Sequence, residues 1–431
     1  MHKNLRWSAV LMIMLLALAA CSNNAGGSAS EEASTAESMA AESQPAGGED
    51  PTAACDADEF GCVEIPEGDS MELGTIFVLS GANEALGTDS LYGVQVAQQM
   101  RPEIAGHEVE LNSQDGLCSA DGGTAAARAL VSEPTIVGVI GTSCSGAGVP
   151  AAEITSAEGI MMISPSNTAP SLTAPATHQA FYARTAHNDK IQGAAMAQFV
   201  CEELGLTTAA TIDDGSPYAD QLAAVFAASF PEECGGTITA EEAVTVGQTD
   251  FSGTLGNIAA DSPEFLYFPI FVAEGALITQ QARTTAGLED TELGGADGIL
   301  TPDWISAAGD ASEGVYLSGP DLDFAGDFYE GEFLPAYKDV SGLDAPISVF
   351  HAHAFDAYNM MADAIEAVAI SGDDGTTYIP RSALRDAVLS TSGFEGITGS
   401  LTCDENGDCA NAKISVSEVK DGKFVRIWPT S

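Results

Sequence analysis

The stretch from Val137 to Thr173 decides the fold expected for this chain. It begins with an apolar run, Val137-Gly-Val-Ile140, which leads into the turn Gly141-Thr-Ser-Cys-Ser-Gly146. A second apolar run, Ile160-Met-Met-Ile163, leads into another hydroxyl-rich turn, Ser164-Pro-Ser-Asn-Thr168. Short apolar runs bounded by turn residues are typical of buried strands, and ligands of doubly wound α/β sheets bind beyond the carboxyl ends of such strands. The two turns therefore predict one side of a small-molecule site.

Strand-like and helix-like segments alternate over most of the chain. This alternation predicts parallel sheets joined by right-handed crossovers. Roughly 360 residues follow residue 70, more than one hydrophobic core usually holds, so two α/β domains are expected. The expected strands are 75–79, 136–140, 160–163, 209–212 and 265–271, and the expected helices are 93–100, 124–131, 191–204, 218–230 and 276–286.

The N-terminal residues have the pattern of an export signal. Lys3 and Arg6 precede an apolar segment, residues 9–20, that is too short to span a bilayer. Cys21 directly follows Leu18-Ala-Ala20, which resembles a bacterial lipobox. Residues 1–20 are therefore expected to be a lipoprotein signal peptide and Cys21 to be lipidated; an ordinary secretion signal beside a chance cysteine is the alternative. We expect an exported protein, anchored by its lipid on the periplasmic or cell-surface side of the membrane.

The segment after Cys21 is rich in Ser, Ala, Glu and Gly up to about Ala54, with almost no large apolar residue. Such a composition cannot bury enough apolar surface to offset the entropy lost on ordering. We therefore expect residues 21–70 to carry the acylated cysteine and to form a disordered acidic stalk.

The whole chain is strongly acidic. It has 14 Lys and Arg against 63 Asp and Glu, which gives a formal net charge of −49 at pH 7. Repulsion excludes nucleic acid as a partner and keeps the domain away from an anionic membrane surface. The N-terminal lipid is therefore the only membrane contact that we expect.

Eight of the nine cysteines remain once Cys21 is assigned to the lipid. An even number in an exported chain favours disulfides over metal or thiol chemistry. The cysteines have no His or carboxylate at zinc-finger spacing, so no metal is expected. The sequence leaves the pairing open; nearest-neighbour pairing gives Cys55–Cys62, Cys118–Cys144, Cys201–Cys234 and Cys403–Cys409.

An enzyme is the main competing class of protein. The turn from Gly141 to Gly146 lacks the G-x-S-x-G spacing of a hydrolase nucleophile turn. The pair His351-Ala-His353 lacks a matching carboxylate motif, and the sequence has no G-x-x-x-x-G-K-[ST] phosphate loop. We therefore expect a binding protein with no catalytic residues and no cofactor.

An ordered series of motifs extends this interpretation from about Gly74 onwards. The series comprises Leu79-Ser-Gly81, Cys118, Gly138-Val-Ile-Gly141 with Cys144-Ser145, Met162-Ile-Ser-Pro165 through Pro170-Ser-Leu-Thr173, Arg184-Thr185 with Asp189 and Gln192-Gly193, Tyr218-Ala219, Asp250-Phe-Ser252, Glu274-Gly275, Gln281-Ala-Arg283 and Gly287-Leu288. In the order and spacing of these motifs, the chain resembles the type I periplasmic binding proteins, specifically the Leu/Ile/Val-binding branch that feeds ABC transporters.

The resemblance implies two Rossmann-like lobes with parallel sheets, joined by a three-strand hinge that closes the cleft by bending. Lobe one is expected to comprise residues 71–184 and 320–394. Lobe two is expected to comprise residues 185–319 and 395–431. The resemblance also implies the Cys118–Cys144 disulfide.

The function implied is that of an extracytoplasmic solute-binding protein, a monomer that delivers a small amino acid or analogue to ABC transporter permease subunits. Ser145 and Thr168 are carried over as donors to the ligand carboxylate, with Ser166 beside them. Tyr218 is carried over as the cover on the ligand backbone, and Glu274 as the acceptor of its ammonium group. A binder of a small amide or urea, or a ligand-sensing receptor domain of the same fold, is the alternative.

Four of these residues also have a purely structural interpretation. Ser145 could cap the following helix, and Thr168 could serve the turn between two prolines. Tyr218 could face the core at a helix start. Glu274 could be favoured at the start of its helix by the helix dipole alone.

Overall fold

The structure is a computed structural model, and it describes residues 51–429. The expectations for the signal peptide, for Cys21 and for the first part of the stalk lie outside the described residues. Among the helices of the described part, none is both long and apolar enough to cross a membrane.

The described residues alternate between strands and helices over most of their length. The strands are β1 (Cys62–Ile65), β2 (Met71–Phe77), β3 (Glu103–Ile104), β4 (His107–Asp115), β5 (Ile136–Gly141), β6 (Met161–Ser164), β7 (Tyr182–Arg184), β8 (Thr208–Asp213), β9 (Thr237–Ala243), β10 (Phe265–Tyr267), β11 (Glu292–Gly295), β12 (Tyr316–Pro320), β13 (Ile370–Ser371), β14 (Thr377–Pro380), β15 (Phe394–Gly396), β16 (Gly399–Leu401), β17 (Ile414–Lys420) and β18 (Lys423–Trp428). The α-helices are α1 (Pro51–Ala57), α2 (Glu84–Met100), α3 (Ala120–Val131), α4 (Ser145–Ala157), α5 (Asp189–Glu202), α6 (Pro217–Cys234), α7 (Ser252–Ala259), α8 (Val272–Ala282), α9 (Pro302–Ala308), α10 (Leu334–Ser341), α11 (His351–Val368) and α12 (Arg381–Leu389).

Two large sheets form the frame of the protein. Sheet one has the strand order β3-β4-β2-β5-β6-β7, and sheet two has the order β18-β17-β12-β11-β10-β8-β9. Neighbouring strands are parallel from β4 to β7 in sheet one and from β12 to β9 in sheet two. Antiparallel strands are added at the edges, β3 in sheet one and β17 with β18 in sheet two. The predicted α/β class with parallel sheets is confirmed.

Strand β5 shows why the sequence builds these sheets. It is buried at every position, as a parallel strand covered by helices on both faces must be. Gly138 in this strand lies so close to helix α11 that an added Cβ would stand 2.7 Å from Cε of Met361. The glycine therefore lets α11 settle directly on sheet one, in an apolar core that also contains Val137 and Tyr358.

Two expected elements have different bounds in the structure. The expected strand 265–271 ends at Tyr267, because Pro269 has no N–H to donate to a ladder and Ile270 N turns back to Phe268 O at 2.9 Å. The helix expected from residue 93 begins already at Glu84. Packing overrides the weak helix propensity of its first turns, since a Cβ on Gly87 would lie 2.0 Å from Val78 O.

The expectation that the stalk reaches residue 70 is wrong for the described residues 51–70. They contain α1 and β1, which the Cys55–Cys62 disulfide joins. Strand β1 pairs antiparallel with β14, and its apolar residues Val63 and Ile65 are buried. These two side chains supply the buried apolar surface that the composition of the preceding segment lacks.

The expected boundary at residue 395 also lies elsewhere. Leu401 and Cys409 are fully buried, and Cys409 belongs to the apolar core of sheet one. Arg184 N donates to Gly407 O at 2.9 Å, and Cys409 N donates to Arg184 O at 3.1 Å. The chain therefore stays with sheet one through Cys409 and joins sheet two only at β17.

The eight cysteines of the described residues form four disulfides by nearest-neighbour pairing. The pairing implied by the family resemblance, Cys118–Cys144, is among them. The others are Cys55–Cys62, Cys201–Cys234 and Cys403–Cys409. All four disulfides given by nearest-neighbour pairing are thus confirmed.

Candidate ligand-binding site

The turns after β5 and β6 lie side by side because the two strands are parallel neighbours. Ser164 Oγ donates to Thr142 O at 2.9 Å, and Ser166 Oγ donates to Ser143 O at 2.8 Å. Ser143 Oγ in turn accepts from Val78 N at 3.1 Å. These bonds fix both turns to each other and to the end of β2, so the groups between them have set positions.

The Cys118–Cys144 disulfide joins the loop after β4 to the start of α4. Cys144 is buried and is the N-cap residue of α4, with its sulfur in the disulfide rather than in a capping hydrogen bond. Its carbonyl oxygen accepts from Ala147 N and Gly148 N, both at 3.0 Å. The bridge therefore holds the first turn of α4 in place.

Ser145 is the first residue of α4 and is buried. Its Oγ accepts from Ala169 N at 3.2 Å, which leaves the hydroxyl hydrogen to donate elsewhere. Because the N-cap is Cys144, Ser145 does not have the capping role considered from the sequence. The first N–H groups of a helix have no acceptor within the helix, and its N-terminus carries partial positive charge. Ser145 and this helix start thus offer donors to an anionic group.

Thr168 lies next to this helix start, on the turn after β6. It is fully buried, and its Oγ1 has no hydrogen-bond partner among residues 51–429. Its carbonyl oxygen accepts from Asp189 N at 3.0 Å, which fixes it to the start of α5. A buried polar group left without a partner costs about 1–3 kcal/mol. The Thr168 hydroxyl, which adjoins the Asp189 carboxylate, therefore keeps the capacity to bond a molecule in the cleft.

Two buried carboxylates adjoin Thr168, and neither was predicted from the sequence to contact the ligand. Asp189 is fully buried, yet both of its carboxylate oxygens lack a hydrogen-bond partner within the part of the chain that the structure describes. Asp297 follows β11, and its Oδ1 accepts from Gln192 Nε2 at 2.7 Å and from Tyr218 OH at 3.1 Å. One oxygen of each carboxylate and one ring nitrogen of His187 all lie within 4.8 Å of one another.

Burial shifts the pKa values of all three groups. Burial holds the pKa of Asp189 well above its usual range; the charge of Asp297 raises it further, and Arg184 and the Thr168 hydroxyl oppose the shift. Burial also raises the pKa of Asp297 to about 6, against the hydrogen bonds from Gln192 and Tyr218. Burial lowers the pKa of His187 to about 4. The imidazole is therefore neutral near pH 7 and does not balance the carboxylates.

The hydrogen bonds around His187 fix the tautomer of its neutral imidazole. Gln192 Nε2 donates to Asp297 and, at 3.1 Å, to Ser318 Oγ. Its Oε1 must then be the group that accepts from Nε2 of His187, so the ring lone pair lies on Nδ1, which has no hydrogen-bond partner among residues 51–429. Asp297 Oδ1 already accepts from two donors. The Asp189 oxygens and His187 Nδ1 are therefore acceptors that a group with its own N–H donors could use.

Tyr218, near the start of α6, connects this cluster to sheet two. It is buried, and its hydroxyl accepts from Gly298 N at 3.1 Å while donating to Asp297. Its ring centroid lies 5.1 Å from that of Phe271. The hydroxyl is thus held at the carboxylates, and the ring belongs to the apolar surface beside them.

Glu274 has different contacts from the two carboxylates beside Thr168. It lies in the first turn of α8, and its Oε1 accepts from Gly247 N at 2.6 Å, which holds the loop after β9. Its charged neighbour is Asp214, whose pKa is raised by burial and further by Glu274. Glu274 and Asp214 therefore form a second acidic group, separate from Asp189 and Asp297.

Hydrogen bonds between residues carried by the two sheets bring the two sides of the cleft together. Ser171 N donates to Gln221 Oε1 at 2.8 Å, and Gln221 Nε2 donates to Ser171 Oγ at 2.9 Å. Val272 N donates to Asn83 Oδ1 at 3.3 Å. Ser171 and Asn83 follow strands of sheet one, whereas Gln221 and Val272 lie on helices that follow strands of sheet two. The cleft is closed in this structure.

Of the five residues predicted to bind the ligand, Ser145, Thr168 and Tyr218 belong to one continuous set of contacts. Ser145 is bonded to the residue after Thr168, Thr168 to Asp189, and Tyr218 to Asp297. Ser166 instead uses its hydroxyl to hold the two turns together, and Glu274 holds a loop.

Asp189 and Asp297 are the members of the site that sequence reasoning missed. Asp189 stands in the motif series, but it was assigned no role. Asp297 had one usable signal, since Gly294-Gly-Ala-Asp297 places a carboxylate just beyond the apolar end of a strand. Many surface loops share that signal, so it became meaningful only with the burial of the residue.

The chain matches the family model of the periplasmic binding proteins over residues 70–423. Leu/Ile/Val-binding protein homolog 3 of Brucella melitensis is 28% identical over 360 residues, which cover 82% of this chain and 92% of the relative. A leucine-, isoleucine-, valine-, threonine- and alanine-binding protein of Pseudomonas aeruginosa is 28% identical over 315 residues, 73% of this chain and 80% of the relative.

Solved structures agree with this match. A leucine binding protein from Thermotoga maritima superposes with a TM-score of 0.74 at 26% identity, covering 83% of this chain and 97% of that protein. A branched-chain amino acid transporter substrate-binding protein from Streptococcus pneumoniae, in complex with isoleucine, has a TM-score of 0.70 at 24% identity and covers 83% and 100% of the two chains, a likeness of fold. The matched family consists of binding proteins rather than enzymes. The chain therefore belongs to the periplasmic binding protein family, with the type I fold, in the branch of the Leu/Ile/Val-binding proteins.

Proposed function

We propose that this protein captures a small zwitterionic amino acid in the cleft between its two sheets and delivers it to an ABC transporter permease. One observation carries the choice of ligand. Asp189 is fully buried, neither of its carboxylate oxygens has a partner at normal hydrogen-bond geometry within residues 51–429, and the polar group beside it is the Thr168 hydroxyl. An ammonium group brings three N–H donors and a positive charge to such a position.

The ligand carboxylate binds at the start of α4. Ser145 has a hydroxyl hydrogen to donate, because its oxygen already accepts from Ala169 N. The first-turn N–H groups of α4 add further donors and the positive end of the helix dipole. The disulfide at Cys144 and the bonds between the two turns keep these donors in place before the ligand arrives, which lowers the entropy lost on binding.

The ligand ammonium binds between Asp189 and Asp297, with Thr168 Oγ1 as a neutral acceptor. Tyr218 and Gln192 hold the Asp297 carboxylate in its position. We propose Asp297, together with Asp189, for the role that the sequence suggested for Glu274. Glu274 keeps its bond to Gly247 N and supports the rim of the cleft.

The names of the relatives and the apolar surface near the site both support an aliphatic or other small amino acid. Proteins similar to this chain are named for binding leucine, isoleucine, valine, threonine and alanine. Val78 directly follows β2 of sheet one, and Leu86 lies on the next helix, α2. Both belong to the same apolar cluster as Tyr218, which lies on α6 after the first strand of sheet two along the chain. The ligand side chain would extend against this cluster.

Capture takes place outside the cytoplasm, as in the family as a whole. We propose that Cys21 carries a lipid anchor and that the acidic stretch after it tethers a monomeric binding domain, with one lobe built on each sheet. Each lobe then moves as a unit about the three segments that connect the two lobes, which lie after β7, after β12 and before β17.

Calorimetric titration of the full chain with three probes tests the ligand class. L-leucine has both charged groups, 4-methylpentanoate lacks the ammonium group, and 3-methylbutylamine lacks the carboxylate. We expect L-leucine to bind at least about 30-fold more tightly than either, because each single-group probe leaves buried charges or donors unpaired at a cost of about 2 kcal/mol or more. Equal affinity for 4-methylpentanoate would exclude an ammonium site.

Matched variants then locate the ammonium group. Asp297→Asn keeps the shape of the side chain and removes its charge, and we expect it to weaken L-leucine binding at least about 30-fold. Glu274→Gln makes the same chemical change in the other acidic group and serves as the control, with affinity within about threefold of the wild type. A large loss of affinity in Glu274→Gln with little change in Asp297→Asn would instead assign the ammonium site to Glu274.

A further inference from the structure

Asp189 and Asp297 place two acidic groups in one buried pocket. One oxygen from each carboxylate lies within 4.8 Å of the other, and the two residues are 0% and 4% exposed. Like charges at such a separation repel strongly when water is excluded. The pair therefore resists having both members ionised while the cleft holds no cation.

The groups that face the pair do not relieve this repulsion. From sheet one, Arg184 attracts Asp189, but its guanidinium is already bonded to Asp408, to Thr173 Oγ1 and to the carbonyl oxygens of Asn167 and Ala169. From sheet two, the neighbours are the hydroxyls of Tyr218 and Tyr267, whose pKa values are themselves raised by burial. His187 lies beside the pair, but burial keeps its imidazole neutral near pH 7.

The hydrogen bonds divide the two carboxylates into different roles. Asp297 accepts from Gln192 and Tyr218, and bonds of this kind stabilise the ionised form. Asp189 has weaker support of this kind: the neighbouring Thr168 hydroxyl stabilises its ionised form, but neither oxygen has a partner at normal hydrogen-bond geometry in residues 51–429. Asp189 is consequently the member that holds a proton when the other is ionised, in the way that two adjacent carboxylates of an aspartic protease share one.

We propose that binding of an amino acid at this site releases one proton from the Asp189–Asp297 pair. The inference rests on the proposed function, because it requires the ligand ammonium to settle between these two carboxylates. The positive charge then favours two ionised carboxylates over one, and the hydrogen leaves Asp189 for the solvent buffer. Charge balances, since one positive group enters the pocket and one proton leaves it.

The consequence is an affinity that depends on pH in a defined direction. Ligand binding competes with a proton, so the affinity falls as the pH falls through the range where the ligand-free pair is protonated. For one displaced proton the dissociation constant rises about tenfold for each pH unit. Asp297, with a pKa of about 6, takes up a proton in its turn at lower pH and steepens the dependence there. The ligand keeps its own charges across this range.

Calorimetry with L-leucine in two buffers of different ionisation enthalpy, phosphate and Tris, measures the released proton directly. The full chain is first treated with a chelator and dialysed, so that no metal ion can be the displaced species. At pH 7 the observed enthalpies should differ by the difference in buffer ionisation enthalpy multiplied by about one proton. Equal enthalpies in the two buffers, with L-leucine bound, overturn the inference and leave the proposed function intact.

Two variants separate the pair from other sources of protons. In Asp189→Asn only Asp297 remains, hydrogen-bonded and already ionised near pH 7, so the proton release should vanish while some affinity remains. In Glu274→Gln the pair is intact, and the release should stay at about one proton. Release that persists in Asp189→Asn assigns the proton to another group and overturns the inference.

A measurement without ligand keeps the inference testable even if L-leucine fails to bind. Carboxyl carbons labelled with ¹³C at aspartate are followed by NMR from pH 4 to 8, with Asp189→Asn identifying the resonance of that residue. We expect the Asp189 signal to titrate well above the usual carboxylate range, so that the ligand-free protein still holds this proton at pH 7. A signal that completes its titration below pH 5 shows a doubly ionised pair and overturns the inference whatever the ligand is. Failure of all amino acids to bind, with this titration present, counts against the proposed function alone.

Discussion

Tyr218 and Asp297, which are 79 positions apart in the sequence, are joined by a hydrogen bond of 3.1 Å from the Tyr218 hydroxyl to Oδ1 of Asp297. The same hydroxyl accepts from Gly298 N, so it fixes the turn after β11 to the start of α6. Asp297 is thereby held beside Asp189. The bond connects a residue that the sequence identified with one that it did not.

Removing this hydroxyl should weaken ligand binding with little change in the fold. Tyr218→Phe keeps the ring against Phe271 but takes one donor from the Asp297 carboxylate. A hydrogen bond to a charged group contributes about 1.5–3 kcal/mol, so we expect L-leucine affinity to fall at least about tenfold by calorimetry. Tyr316→Phe, on β12 away from the site, is the control and should bind normally. Unchanged affinity in Tyr218→Phe would remove the hydroxyl from the site.

Thr168 allows stability and binding to be separated at a single position. Thr168→Val keeps the size of the side chain and deletes a buried hydroxyl that adjoins the Asp189 carboxylate. We expect the stability of the ligand-free protein to change by no more than about 1 kcal/mol, whereas L-leucine affinity falls about tenfold. Thr168→Ser retains the hydroxyl and should bind within about threefold of the wild type. Thermal unfolding and calorimetry give both quantities, and a Val variant that binds normally contradicts the assignment.

Arg184 and Asp408 form an ion pair on which stability should depend. Arg184 is fully buried, and Asp408→Asn would leave its charge without a counter-ion, at a cost of about 3–5 kcal/mol. Burial alone would raise the pKa of Asp408, but Arg184 and hydrogen bonds from Asn188 and Thr173 hold it below its usual range. The ionised Asp408 therefore contributes its full stabilisation of the fold above the ordinary carboxylate pKa of about 4. This stabilisation is lost as the pH falls through the lower pKa that Asp408 has in the folded protein.

Thermal unfolding of the wild type and of Asp408→Asn between pH 7 and pH 3 measures this contribution. The gap between their melting temperatures should be largest near pH 7 and should narrow below pH 4. Arg426→Gln, which removes an exposed partner of Asp321, is the control and should change stability by less than about 1 kcal/mol. A gap that does not vary with pH would contradict an ionised Asp408.

The Cys118–Cys144 disulfide should matter for binding as well as for stability. Replacing both cysteines by Ala removes a cross-link between residues 26 positions apart and should cost about 3 kcal/mol. It also frees the start of α4, so L-leucine affinity should fall. The matched control is the double Ala variant of Cys201 and Cys234, which are 33 positions apart and join α5 to α6. That variant should lose similar stability but keep its affinity.

Lipidation of Cys21 can be tested independently of the binding site. Cys21→Ala should abolish signal cleavage of the lipoprotein type and leave an unprocessed or soluble form, because the acylated cysteine is the expected anchor. Detergent phase partitioning and mass spectrometry of the N-terminus decide between the two forms. Unchanged partitioning of the variant into the detergent phase would contradict the anchor.

The sequence by itself determined the class of fold and suggested one side of the site. The apolar run of β5 and the hydroxyl-rich turn after it are local features, and residues close in sequence suffice to define them. For the disulfides, the even number of cysteines predicted that they would pair, but the tertiary structure decided which cysteines are joined. Ser145 and Thr168 could be identified because both stand directly after adjacent strands.

The position proposed for the positive end of a ligand is supported only by the tertiary structure. Gln192 and Asp297 are 105 positions apart, and no local pattern brings their side chains together. Whether a carboxylate attracts a cation or supports a loop depends on its burial and its partners. Asp189 is fully buried beside the Thr168 hydroxyl and close to a second carboxylate, whereas Glu274 is bonded to Gly247 N. Asp189 and Glu274 each lie in the first turn of a helix, so the sequence alone does not distinguish their roles. Burial and hydrogen-bond geometry are properties of the folded chain, and they assign the two residues different roles.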